Sequence, residues 1–101
     1  MRDDDRVELE VSGEVWYWRG PAPFHFVTVP DDDAAQLAGA AHSVTYGWGM
    51  IPVVARVGGT DWTTSLWPKD ASYIVPLKTA VRRAEGIELG DLVTVTLSIE
   101  T

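Results

Sequence analysis

Hydrophobic and polar positions alternate from Val7 onward: Val7, Leu9 and Val11 share one parity, and Glu8, Glu10 and Ser12 the other. That period of two is the signature of a strand with one face buried. The pattern runs on through Val15-Trp16-Tyr17-Trp18, with Gly13 placed for a bulge. Arg19 to Pro23 reads as a turn, and Phe24 to Val29 as the next strand. Pro30 ends that strand. Asp31, Asp32 and Asp33 then precede a short helix through Ala38, which they cap and favour through its dipole, and Asp33 with Gln36 has capping-box spacing.

A strand over Met50–Val57, a break at Gly58-Gly59 and alternation from Asp61 to Trp67 predict a hairpin. A glycine with positive φ is expected in that turn, and strain is expected from valine at Gly59. Pro68-Lys69-Asp70 reads as a turn and Ser72–Val75 as a short strand. Pro76 opens a second helix, with Leu77, Ala80, Val81 and Ala84 on one face and Gly86 at its end. Leu92–Leu97 is a last β-branched strand after the Gly90-Asp91 turn. The expected fold is all-β with six or seven strands and two short helices, a small closed barrel rather than βαβ units. Residues 1–6 read as a disordered tail, and 7–101 as one domain of ordinary size among the chain's 101 residues.

Composition narrows the chemistry. There is no cysteine, which excludes disulfides, thiolate zinc sites and cysteine nucleophiles. No apolar run is long enough for a spanning helix, and the amino terminus has no signal-peptide pattern, so a bacterial, cytoplasmic protein with no membrane partner is expected. Of the net charge of −7, residues 1–33 carry −6 and the remainder −1. Phosphate backbones reward clustered positive charge, so nucleic acid is not an expected partner. One basic patch remains, at Lys78, Arg82 and Arg83.

His25 and His42 have no ligand spacing, and Asp31-Asp32-Asp33 lacks the glycine and closing glutamate of a calcium loop, so no metal and no cofactor are expected. No Gly-x-Ser-x-Gly elbow occurs, and no acid–base pair stands out. The five tryptophans are the least ordinary feature. Each buries roughly 150–250 Å², more than a core of this size can easily absorb five times over. Trp16 and Trp18 share a strand face opposite Val15 and Tyr17, so one of those faces must look away from the core or into a groove. Lys78 and Arg82 are spaced for one helix face, and Arg56 shares its strand face with Pro52 and Val54.

Several fixed-spacing motifs add a resemblance. Trp16-x-Trp18-x-Gly20-Pro21, Phe26 to Pro30, Gly47-Trp48-Gly49-x-x-Pro52-Val53, Gly58-Gly59-Thr60-x-Trp62-x-Thr64-Ser65-Leu66-x-Pro68, Tyr73-x-x-Pro76-x-Lys78 and Gly90-Asp91-x-Val93-x-Val95 resemble the family catalogued as domain of unknown function 1905, over roughly residues 7–99. Trp67 stands where that family more often has phenylalanine. The resemblance implies a barrel of the double-split type and brings no established activity. Residues 75–95 are also similar to the strand–helix–strand unit of swapped-hairpin regulators and antitoxins, without their basic loops.

Together these features predict a non-enzymatic binding module for a small anionic ligand or an acidic partner segment, with Trp48, Arg56, Trp62, Trp67, Lys78 and Arg82 as binding residues. The alternatives are a dimeric, antitoxin-like regulator and a cofactor-free enzyme, and the oligomeric state is left at monomer or homodimer.

Overall fold

A computed structural model of the chain describes residues 6–19, 24–40, 49–70 and 72–100. Its strands are β1 (Arg6–Trp18), β2 (Phe24–Thr28), β3 (Ile51–Val57), β4 (Thr60–Lys69), β5 (Ser72–Leu77) and β6 (Leu92–Glu100), with helices α1 (Asp31–Ala40) and α2 (Thr79–Glu85). The strands close into one barrel in the order β1-β2-β5-β4-β3-β6. Residues 1–5 of the expected tail lie outside the described residues, and Arg6 already belongs to β1.

Two long strands make closure possible by serving two sheets each. β1 pairs with β6 from Arg6 to Glu14 and then with β2 from Val15 to Trp18. β4 pairs with β3 from Thr60 to Leu66 and then with β5 from Trp67 to Lys69. These are the two splits of the barrel. Gly13, read as a bulge, instead sits in unbroken register opposite Val93, beside the first split. A Cβ there would lie 3.0 Å from Val27 Cγ1 and 3.1 Å from the Thr28 carbonyl, so glycine is needed for the close approach of β2.

The inward parity is apolar except on two strands, where β2 carries His25 and β4 carries Thr60 and Thr64 on that side. Val11, Val15, Val27, Ile51, Val53, Ala55, Trp62, Leu66, Val75, Leu77, Val95, Leu97 and Ile99 fill the interior, and α1 adds Ala34 and Leu37 while α2 adds Val81. The alternation on β3 is complete, with Pro52, Val54 and Arg56 outside. Trp62 is the bulkiest interior side chain, 7% exposed, and the residue paired with it across the sheet is Ala55.

The second split leaves a backbone problem, which two side chains solve. Pairing of β4 with β5 extends no further than Trp67 with Ile74, so β5 beyond that point has no partner on its β4 side. Pro76 lies in that unpaired stretch, where its missing N–H leaves no orphaned donor. Its carbonyl accepts a hydrogen bond from Trp62 Nε1 at 3.2 Å. This corrects the reading of Pro76 as a helix start: it pairs with Phe26 inside β5, and Leu77 still points into the core. The helix begins only at Thr79, with Lys78 as N-cap, so Leu77 is not part of its face and Ala80 and Ala84 are exposed. Pro68 and Lys69 likewise belong to β4, not to a turn, and pair with Tyr73 and Ser72.

The aspartates of α1 all fall within its first turn, which suits the helix dipole and places Asp33 inside the helix, not at the N-cap. Gly86 ends α2 in the left-handed region, φ 64°. Six strands are present among the described residues. None of the described helices is long and apolar enough to cross a membrane.

The β3–β4 turn carries the first prediction. Only Gly58 has positive φ, 58°, and a Cβ there would also run into the Glu85 carboxylate, which Thr60 Oγ1 holds in a hydrogen bond. That is the glycine placement of a type II′ connection. A Cβ on Gly59 meets nothing within 4 Å. The strain expected at Gly59 therefore belongs to Gly58. Gly58→Val should lower stability in urea denaturation by about 1–3 kcal/mol, and Gly59→Ala should change it by under about 0.5 kcal/mol. Equal losses at both positions would contradict this turn geometry.

Candidate functional site

Parity on β1 decides where the aromatic residues go. Val11 and Val15 point inward, so Trp16 and Trp18 point outward, on the side of Glu10, Ser12 and Glu14. The pairing of β1 with β2 then sets Phe26 opposite Trp16 and Phe24 opposite Trp18 on the same outer face. Trp67, paired with Ile74, joins them from β4. Ring centroids are 5.1 Å apart for Trp16 and Phe26, 5.2 Å for Phe26 and Trp67, and 5.9 Å for Phe24 and Trp67. Trp16 Nε1 donates to Thr28 Oγ1 at 2.9 Å, which fixes the plane of its indole.

Phe26 is completely buried and Ile74 nearly so, yet neither belongs to the interior cluster. They are the floor of a second apolar assembly outside the barrel wall. Above them opens a cavity of about 420 Å³, with Trp16, Trp18 and Trp67 as walls and Pro68 and Lys69 at the rim. Trp18 is 44% exposed at its mouth. Among the described residues Lys69 is the one charged member of this lining.

A larger, more polar cavity of about 670 Å³ lies on the other side of the β4–β5 hairpin and shares Pro68 and Lys69 with the first. Asp31 of α1, Asp70, Ser72 and Tyr73 also line it. Lys69 Nζ is 3.0 Å from Asp70 Oδ2. Ser72 Oγ is committed to the carbonyl of Val29 at 2.8 Å, which ties the hairpin to the chain entering α1.

The residues expected to bind are dispersed. Trp67 lies in the groove. Trp62 is inside the barrel and bonded to Pro76. Arg56 faces outward and pairs with Asp61 at 3.5 Å across the hairpin. Lys78 is an exposed N-cap with no side-chain cap bond. Trp48 and His42 lie outside the described residues. Arg82 is half-buried on α2, where Nη2 donates to Thr79 Oγ1 at 3.3 Å and Nε is buried with no hydrogen-bond partner among the described residues. Its neighbour is His25, whose ring packs 4.9 Å from that of Tyr17.

Trp16, Trp18, Phe26 and Lys69 were not among the expected site residues. The signal was present for the tryptophans, which continue the polar parity of β1. Lys69 was hidden because it was assigned to a turn. Among the described residues no group of three His, Asp or Glu is placed to hold a metal ion.

Residues 12–97 match the model of a family described as "Domain of unknown function (DUF1905)". No curated protein matches the chain.

Burial and, secondarily, the Arg82 charge both disfavour protonated His25, and its pKa falls below the ordinary 6.5. The unfolded chain therefore takes up this proton more readily than the folded one. The stability contributed by the neutral ring is present above 6.5 and is lost as pH falls through the lower folded-state value. An NMR titration should give His25 a pKa below 6.5. Arg82→Gln should bring it only part of the way back, since desolvation is the larger cause. A native value at or above 6.5 would contradict this packing.

Proposed function

The chain belongs to the DUF1905 family, and from that premise we propose that it is a binding module for a small, flat, ring-bearing anion held in the outer aromatic groove. The observation that carries this reading is the division of the large aromatic residues. The barrel is filled by aliphatic side chains and Trp62, while Trp16, Trp18, Phe26 and Trp67 line a cavity on the other side of the wall. Closing the barrel does not require a cavity there, and one walled by three indoles matches a ring in shape and polarisability.

Ring-to-ring contacts contribute roughly 0.5–1.5 kcal/mol each beyond the area they bury. The sign of the ligand's charge follows from Lys69, the one ionic group of the lining among the described residues. Its bond to Asp70 joins sequence neighbours at the surface, a kind of pair worth only about 0–1 kcal/mol. A carboxylate or phosphate on the ligand can therefore compete for the ammonium. Lys78 and Arg82, first expected to supply this charge, lie on another element, and Lys69 takes that role in the reading.

3-Phenylpropionate, followed by tryptophan fluorescence, is a suitable probe. Two or three ring contacts and one exposed ionic contact correspond to a Kd on the order of 0.1–1 mM. The neutral 3-phenylpropionamide should bind more weakly, and Lys69→Met should erase that difference. Trp18→Ala should weaken binding about tenfold while the circular dichroism spectrum is unchanged, because one lost face contact of about 1.4 kcal/mol is tenfold in Kd. Binding that survives Trp18→Ala undiminished would refute the groove as the site.

A further inference from the structure

The two cavities that meet at Lys69 differ in chemistry, and the order of their groups reads as the outline of a ligand. On one side the lining is apolar and mostly aromatic: Trp16, Trp18, Phe26 and Trp67, with Ile74 and Pro68. At the boundary is one ammonium, Lys69, which lines both cavities. On the far side are two carboxylates, Asp70 and Asp31. A molecule crossing the boundary meets aromatic faces, then a cation, then anions. Its complement is a ring, then an anion, then a cation.

We propose that the ligand is a free aromatic α-amino acid in its zwitterionic form, with the ring in the groove, the carboxylate on Lys69 and the ammonium toward Asp70 and Asp31. This rests on the groove being a ligand site. The Lys69–Asp70 bond of 3.0 Å is itself a small-scale version of the exchange: the zwitterion replaces one ion pair with two, since its carboxylate takes the ammonium and its own ammonium takes the released carboxylate. Lys69 and Asp70 each keep an ionic partner in either state.

The field around the second cavity has the sign this needs. Asp31 is the first of three carboxylates in the opening turn of α1, and the chain as a whole carries −7. A plain ring-bearing anion gains from Lys69 but is repelled by these groups, and an added ammonium turns that repulsion into attraction. Asp70 is also held in position by its backbone. Its φ of 52° in the tight turn between Lys69 and Ser72 is a conformation that aspartate and asparagine tolerate better than most residues.

Calorimetric titration of the full chain with phenylalanine, 3-phenylpropionate and phenethylamine tests this. Phenylalanine should bind about threefold to fivefold more tightly than 3-phenylpropionate, the upper part of the range for one added exposed ion pair, and phenethylamine more weakly than phenylalanine. The double variant Asp31→Asn/Asp70→Asn keeps a residue suited to the turn. It should abolish the advantage of phenylalanine and leave 3-phenylpropionate bound at least as well, because Lys69 is released. Equal affinity for phenylalanine and 3-phenylpropionate in the native chain, or an advantage that persists in the double variant, would overturn the zwitterion and leave the groove standing. No binding of any of the three would overturn the groove with it.

Discussion

Everything in this barrel follows from two strands that change partners partway along. β1 leaves β6 for β2 after Glu14, and β4 leaves β3 for β5 after Leu66. Such a change closes a sheet with few strands, but it opens a seam in the hydrogen-bond ladder at each split. At the second seam the cost of an unpaired backbone is avoided by Pro76, which has no N–H, and by the Trp62 indole, which satisfies the Pro76 carbonyl. A buried carbonyl without that donor would cost about 1–3 kcal/mol. Trp62 therefore acts both as the main filler of the core and as the missing rung of the sheet.

The same change of partner creates the outer groove. Because β1 carries one unbroken parity through Glu14 and Val15, its polar face becomes aromatic at Trp16 where the neighbour changes from β6 to β2. β2 brings Phe24 and Phe26 to that face, and β4, bent onto β5, brings Trp67. Wall and groove are thus made by neighbouring residues on opposite sides of the same strands: Val15 and Val27 inside, Trp16 and Phe26 outside. The hairpin that follows Trp67 carries Lys69 and Asp70, and so places the cation of the groove two residues, and a carboxylate of the adjoining cavity three residues, from one of its walls.

Much of this was legible beforehand. Strict alternation identified the long strand β1 and the β3–β4 hairpin, and the fixed-spacing motifs pointed to a split barrel. Pro76 and Pro68 were misread because proline's local preferences favour turns and helix starts. Both sit in strands where the pairing pattern leaves proline tolerable, which depends on a distant partner. Among the tryptophans, Trp62 has the parity of Leu66 and Trp67 the opposite one, so the assignment of one to the core and the other to the surface depends on which face closes inward. Trp16 and Trp18 were correctly seen to share a face. Their role as walls required the neighbouring strand, which local spacing does not specify. Lys78 and Arg82 stay one turn apart, with the Arg82 N–H donating to the Lys78 carbonyl at 3.0 Å, but Lys78 is exposed at the N-cap and Arg82 is half-buried within the helix.

The four described indoles form two separate sets, Trp62 bound into the wall and Trp16, Trp18 and Trp67 in the groove. Indole N–H resonances of isotope-labelled protein, followed during titration with 3-phenylpropionate, test that separation directly. The account predicts that the Trp18 and Trp67 signals shift with one shared saturation curve while the Trp62 signal stays fixed and exchanges slowly with solvent. A Trp62 signal that moves with the ligand, or Trp18 and Trp67 signals that remain still at saturation, would contradict it.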